Sequence, residues 1–104
     1  MKKEHLAHFN ISGFTYYDGA LVFQKLKVGT QLNMKIEPEN KHDSHAVAIY
    51  YKDYKIGYVP RTENKLLYKL LKVGLKNNIQ FVIQRVAKHE HPENQIQVVV
   101  HLVN

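Results

Sequence analysis

Residues 37–47 read EPENKHDSHAV. Three carboxylates (Glu37, Glu39, Asp43), two histidines (His42, His45) and Asn40 fall within nine positions, just ahead of an apolar run. Side chains of these types, this close together, support three chemistries: a metal site, an acid/base pair of carboxylates, or a polar turn that recognises a ligand. A catalytic zinc site needs three nitrogen or oxygen ligands at about 2 Å, each oriented by outer partners. His42 and His45 would share a face in a helix, but this segment leads into a strand, whose alternation sends them apart. His89 and His91, in HEH, fall on one face of a strand beside a proline turn, where exposed polar residues are ordinary. These four histidines are the metal candidates, and neither a native metal nor another cofactor is expected.

Catalysis fares no better. The chain has no GxSxG, no HExxH and no GxxxxGK[ST]. It has no cysteine, which removes disulfides, thiolate metal sites and thiol nucleophiles together. Glu37, Glu39 and Asp43 could act as glycosidase-type carboxylates only in a buried groove that tunes their pKa values, and a small barrel has little room for one. The expectation is that this is not an enzyme. What remains is aromatic and basic. Seven tyrosines and four phenylalanines are present, with Tyr16-Tyr17, Tyr50-Tyr51, Tyr54 and Tyr58 beside one another or beside lysine. Single-strand binders stack bases on such rings at about 1–3 kcal/mol each and track the backbone with cations. In adjacent pairs one ring should point inward, which would place half of the tyrosines in the core.

Composition supports a polyanion partner. The 104 residues carry 15 Lys+Arg against 9 Asp+Glu, a formal charge of +6, and are 44% hydrophobic. Thirteen of the cations are lysines spread along the chain, which makes a general positive field without sequence readout. Seven histidines add charge below a pH of about 6.5. No apolar window of about 18 residues could span a membrane, and MKKEHLAHFNISGF lacks the apolar core of a secretory signal. A cytoplasmic setting fits the absence of cysteine.

The elements that must position these residues follow from periodicity. Residues 7–17 read as a strand with Phe9 and Ile11 alternating, bent at Gly13. Residues 20–29 read as a short helix closed by Gly29. QLNMKIE (31–37) points Leu32, Met34 and Ile36 inward. AVAIYY (46–51), KDYK (52–55) and IGYV (56–59) make a hairpin, which Pro60 ends. Residues 62–74 form the best helix, with Leu66, Leu67, Leu70 and Leu71 as its apolar stripe and Gly74 as its stop. Strands over 78–88 and 95–103 close the chain, with Ile96, Val98, Val100 and Leu102 on one face. The whole chain, 1–104, reads as one domain, mainly β with two helices (α+β): a small six-stranded barrel with flanking helices.

Three ordered segments, GFTYYDG (13–19), LKVGTQLNMKIEPENKHDSHAVAIYY (26–51) and IGYVPR (56–61), resemble the HIRAN domain, a family whose stand-alone members are typical of bacteria and their phages. The motif-bearing part runs from about residue 7 to 74; the strands over 78–103 carry no motif. The resemblance implies an OB-like β-barrel that binds DNA and, in fork-remodelling helicases, holds the 3′-hydroxyl end of a single strand. Position by position, it implies that Tyr16 lies against the end of the strand as a stacking or packing ring. Asp43 would accept a hydrogen bond from the terminal 3′-hydroxyl, and Arg61 would lie near the phosphates with Tyr58 on the same edge. Tyr17, Asn40, His42 and Lys65 complete the implied DNA-binding set. Two positions depart from the end binders: Thr15 replaces a basic residue and His42 a tyrosine. The implied function is recognition of single-stranded DNA at its 3′ end in DNA repair or at replication forks, with a separate helicase or nuclease as a possible partner. The alternative is a protein-interaction adaptor that keeps the fold without end recognition. End recognition requires Tyr16, Asp43 and Arg61 to share one exposed pocket; the adaptor requires an apolar patch elsewhere.

Overall fold

The computed structural model describes residues 2–104. Its elements are β1 (Lys3–Asn10), α1 (Gly19–Val22), β2 (Asn33–Ile36), β3 (Val47–Tyr51), β4 (Tyr54–Tyr58), α2 (Asn64–Lys72), β5 (Ile79–Val86) and β6 (Ile96–Val103), with short 3₁₀ turns between them. The strands form two antiparallel three-stranded sheets, ordered β1-β6-β5 and β2-β3-β4. Cross-strand rows supply the core. Phe9, Val98 and Ile83 lie side by side in one sheet, as do Met34, Ile49 and Gly57 in the other. The apolar side chains of both rows belong to one hydrophobic cluster, which also takes in Leu67 and Tyr68 of α2.

The expected closed barrel is not formed. The ladders end, and the two sheets meet at isolated bridges, Ser12 to Tyr58 at one seam and Gln31 to Val82 at the other. Backbone hydrogen bonds flank the second, from Leu32 N–H to Phe81 O at 2.9 Å and from Gly29 N–H to Ile83 O at 2.8 Å. The first seam depends on Gly57. A Cβ there would stand 2.4 Å from Ile11 Cγ2 and 2.5 Å from Ser12 O, so only a bare backbone lets the two chains approach. Ser12 and Tyr58 then exchange N–H···O bonds of 2.9 and 2.8 Å.

Four local expectations also change. The first strand stops at Asn10, because Gly13 turns left-handed (φ 72) and leads into a 3₁₀ turn, Phe14–Tyr16. The helix over 20–29 shrinks to one α turn followed by the 3₁₀ turn Phe23–Lys25, and Leu26 is already extended and buried. Burying Val22 and Leu26 settles that segment more strongly than its helical spacing. On α2 the buried stripe is Asn64, Leu67 and Tyr68, with Leu71 partly covered, while Leu66 is 51% exposed. Leu102 is also exposed, near the end of β6.

Candidate nucleic-acid interface

The turn from Glu37 to Ala46 is fastened by its own polar side chains. Asn40 Oδ1 accepts the His42 and Asp43 N–H groups at 2.8 and 3.0 Å, and its Nδ2 donates to Glu37 Oε1 at 3.0 Å. Asp43 Oδ1 accepts the His45 N–H at 2.9 Å, which closes an Asx turn. Its other oxygen, Oδ2, accepts Asn64 Nδ2 at 2.8 Å and lies 3.7 Å from Arg61 Nε. Asn64, 2% exposed in the first turn of α2, therefore docks the polar turn onto the helix. Arg61 reaches over the turn, its Nη2 donating to His42 O at 2.8 Å, yet its side chain stays 71% exposed. A carboxylate offers about four acceptor positions. Two of Asp43's are filled by neutral N–H donors and the side chain is 20% exposed, so it can still accept from a ligand.

A second network adjoins the first through Asn40 and Glu37. Lys55 Nζ donates to Glu37 Oε2 at 3.0 Å and to Tyr58 OH at 2.6 Å, and Tyr58 OH donates to Glu37 Oε1 at 2.7 Å. Lys55 Nζ also lies 4.8 Å from the Tyr17 ring centre and 4.3 Å from that of Tyr58, and the two rings meet edge to face. Burial pushes the Glu37 carboxyl up, but hydrogen bonds from Tyr58, Asn40 and Lys55, with the Lys55 charge, outweigh it and hold the group below its ordinary value. Burial and the hydrogen bond to Glu37 push the Tyr58 phenol up to about 12, against a lowering by Lys55. Lys55 is raised: burial works against its charged form, and the bonds to Tyr58 and Glu37 overcome that. Its charge is spent inside the network.

The structure brings Asn40, His42, Asp43 and Arg61 into one patch and places Tyr17 and Tyr58 in the network beside it. Tyr58 is committed to Glu37 and Lys55 instead of presenting a free hydroxyl. Tyr16 stands apart, 82% exposed on the 3₁₀ turn that packs against β4. Lys65 is exposed on α2 and shares with Arg61 a cleft of about 410 Å³ floored by Leu6, Ala7 and Leu67. Neither Tyr16 nor Asp43 lines that cleft, so the three residues expected in one pocket do not meet there. Of the seven tyrosines only Tyr68 is buried, which corrects the expectation that half would be core.

The metal candidates separate. His45 packs edge-on against Tyr68, and His42 contributes its backbone to the turn. His89 and His91 lie in the connection between β5 and β6 and not on a strand face, with His91 Nδ1 accepting the Glu93 N–H at 3.2 Å. Among the described residues no group of three or more His, Asp or Glu is placed to hold a metal ion.

Sequence reasoning missed Lys55, Asn64 and Glu93. Asn64 had a signal, since it lies three and four residues before Leu67 and Tyr68 on the face that is buried. Glu93 had none, as it bonds Gly13 from 80 residues away.

Comparison with known proteins bears on the whole chain. No curated protein matches. A protein from Lactobacillus plantarum, known from its crystal structure, is similar at a TM-score of 0.81 and 17% identity, over 97% of this chain and 95% of that one. The crystal structure of the HIRAN domain of human HLTF is similar at a TM-score of 0.66 and 14% identity, over 96% of this chain and 76% of that one. At these identities both likenesses speak to the fold. The model of the HIRAN domain family matches residues 6–103, which takes in the closing strands that carry no motif. The chain belongs to the HIRAN domain family.

Proposed function

We propose that this chain is a non-enzymatic DNA-binding module that takes single-stranded DNA by its 3′-hydroxyl end, in DNA repair or at replication forks. A separate helicase or nuclease would supply the chemistry or the motor. The observation that carries this reading is Asp43. Its carboxylate keeps acceptor capacity on a partly exposed turn, beside an Arg61 side chain that is 71% exposed. A carboxylate there accepts a bond from a terminal hydroxyl and repels a phosphate, so it separates an end from a continuing strand, while the guanidinium attracts the phosphates before it. Tyr16, exposed on the 3₁₀ turn packed against β4 and apart from the Asp43 turn, offers a stacking face to the strand further along, and Lys65 extends the positive edge along α2. Tyr58 and Tyr17 support this face through Lys55 and Glu37.

The test is fluorescence anisotropy of wild type with one labelled single strand, ending in a 3′-hydroxyl or a 3′-phosphate, at two salt concentrations. Tighter binding of the hydroxyl, by about tenfold, is the expected result, with both strands weakening as salt rises. Equal affinities would leave a general DNA binder. No binding at low salt would favour the second reading, a protein-interaction adaptor. One feature speaks for that second reading: Leu75, Leu102 and Val103 line a cleft of about 400 Å³ away from the polar turn, between the chain termini and the connection after α2.

A further inference from the structure

The loop bearing Tyr16 and Tyr17 has little structure of its own beyond one 3₁₀ turn. Its two ends are tied to β4, by the Ser12–Tyr58 pair and by the Asp18 N–H donating to Lys55 O at 2.9 Å, while its first amides are fastened from the far end of the chain. The Glu93 carboxylate accepts the Gly13 N–H at both oxygens, 3.0 and 2.8 Å, and the Phe14 N–H at 3.4 Å. Gly13 is left-handed (φ 72), which takes its N–H out of any strand ladder and leaves it to this carboxylate. Glu93 is itself held. It sits in the 3₁₀ turn Pro92–Asn94, opened by proline and capped by His91 Nδ1, which accepts the Glu93 N–H at 3.2 Å. That turn packs on the turn carrying Tyr16, and alongside them the Ile11 N–H donates to Ile96 O at 3.0 Å.

We propose that Glu93 is the positioning residue of the aromatic face: it touches no ligand, and it sets the backbone from which Tyr16 meets the bases while Tyr17 packs behind it on Tyr58 and Lys55. The inference rests on the single-strand reading above. Tyr16 makes no side-chain hydrogen bond among the described residues, so its place is set by its backbone. The sign of the charge sharpens the point. A carboxylate beside a polyanion site opposes binding, so an effect through charge alone and an effect through the loop have opposite directions. Removing Glu93 should tighten binding if only its charge counts and weaken it if it holds the loop.

The experiment compares wild type, Glu93→Ala, Glu93→Gln and Glu90→Ala, all as full chains, with two readouts. Anisotropy with a labelled oligothymidylate bearing a 3′-hydroxyl gives affinity and its salt slope, and hydrogen exchange follows the amides of residues 13–17. In Glu93→Ala the Gly13 and Phe14 amides should exchange faster and the strand bind about tenfold more weakly, with the salt slope unchanged because no phosphate contact is lost. Glu93→Gln, which keeps an acceptor oxygen, should fall between. Glu90→Ala removes the same charge from the same connection and should bind as well as wild type or better. Unchanged amide exchange in Glu93→Ala, or binding as tight as wild type, overturns the proposal. Should Glu93→Ala fail to fold, Glu93→Gln is judged by the same two criteria. A wild type that does not bind the strand removes the single-strand reading and this inference with it, whereas a wild type that binds beside an undisturbed Glu93→Ala removes this inference alone.

Discussion

Asp43 spends one oxygen on the turn's own backbone and the other on Asn64, and what it has left over is what a ligand would use. Glu37 differs, because its oxygens are shared among Asn40, Tyr58 and Lys55 in a closed network. Those partners hold its pKa below the ordinary 4.5 despite burial. A carboxyl whose folded pKa is depressed contributes stability that is complete above its unfolded pKa and is lost as pH falls through the folded one. Glu37→Gln should therefore be less stable than wild type at pH 7 by about 1–2 kcal/mol, and the gap should close as pH drops below 4.5. Urea unfolding at pH 7, 5 and 3.5 measures it; a gap that is constant with pH would contradict the assignment. Asn40 and Asp43 were legible because Asx side chains ahead of a strand make turns by a local mechanism. Lys55 and Glu93 were not, because their partners lie 18 and 80 residues away and no local pattern encodes such pairs.

Elements carry the next set of constraints. The strand over 31–37 was readable from alternation, and those over 46–51 and 56–59 from apolar runs on either side of a turn; Val47, Ala48 and Ile49 are all buried, so no alternation marks that strand. α2 was legible as a helix but its inward face was not, because four leucines drew the stripe away from Asn64 and Tyr68. The segment after β1 failed for another reason. One left-handed glycine and the approach of β4 decide its path, and both are tertiary facts. That approach makes a prediction at this scale. In Gly57→Ala the new methyl would meet Ser12 O and Ile11 Cγ2 at a φ of 148. Strain of that kind costs about 1–3 kcal/mol, and overpacking adds to it. Thermal unfolding should show a marked fall in midpoint, while Gly29→Ala, whose Cβ would meet nothing within 4 Å, should cost less. Equal effects would mean that the seam does not depend on this close approach.

For the molecule as a whole, charge and fold answer different questions. The net charge of +6 makes contact with a polyanion favourable and salt-sensitive without choosing among polyanions. Family membership, carried by residues 6–103, was legible from motifs that end near residue 74. The closed barrel that the resemblance implied was not, because closure depends on whether ladders continue across the seams, and here single bridges take their place. In the proposed reading selectivity comes from the polar turn and not from the field, and Asp43 is where the proposal stands or falls. The most direct measurement is the affinity ratio between a 3′-hydroxyl and a 3′-phosphate single strand for Asp43→Ala, set beside the same ratio for wild type, with circular dichroism confirming the fold of the variant. The account predicts a wild-type preference for the hydroxyl that falls to a ratio near one in Asp43→Ala, while the salt slope of both strands is preserved. A preference for the hydroxyl that persists undiminished in folded Asp43→Ala would contradict it and return Asp43 to the role of a turn cap.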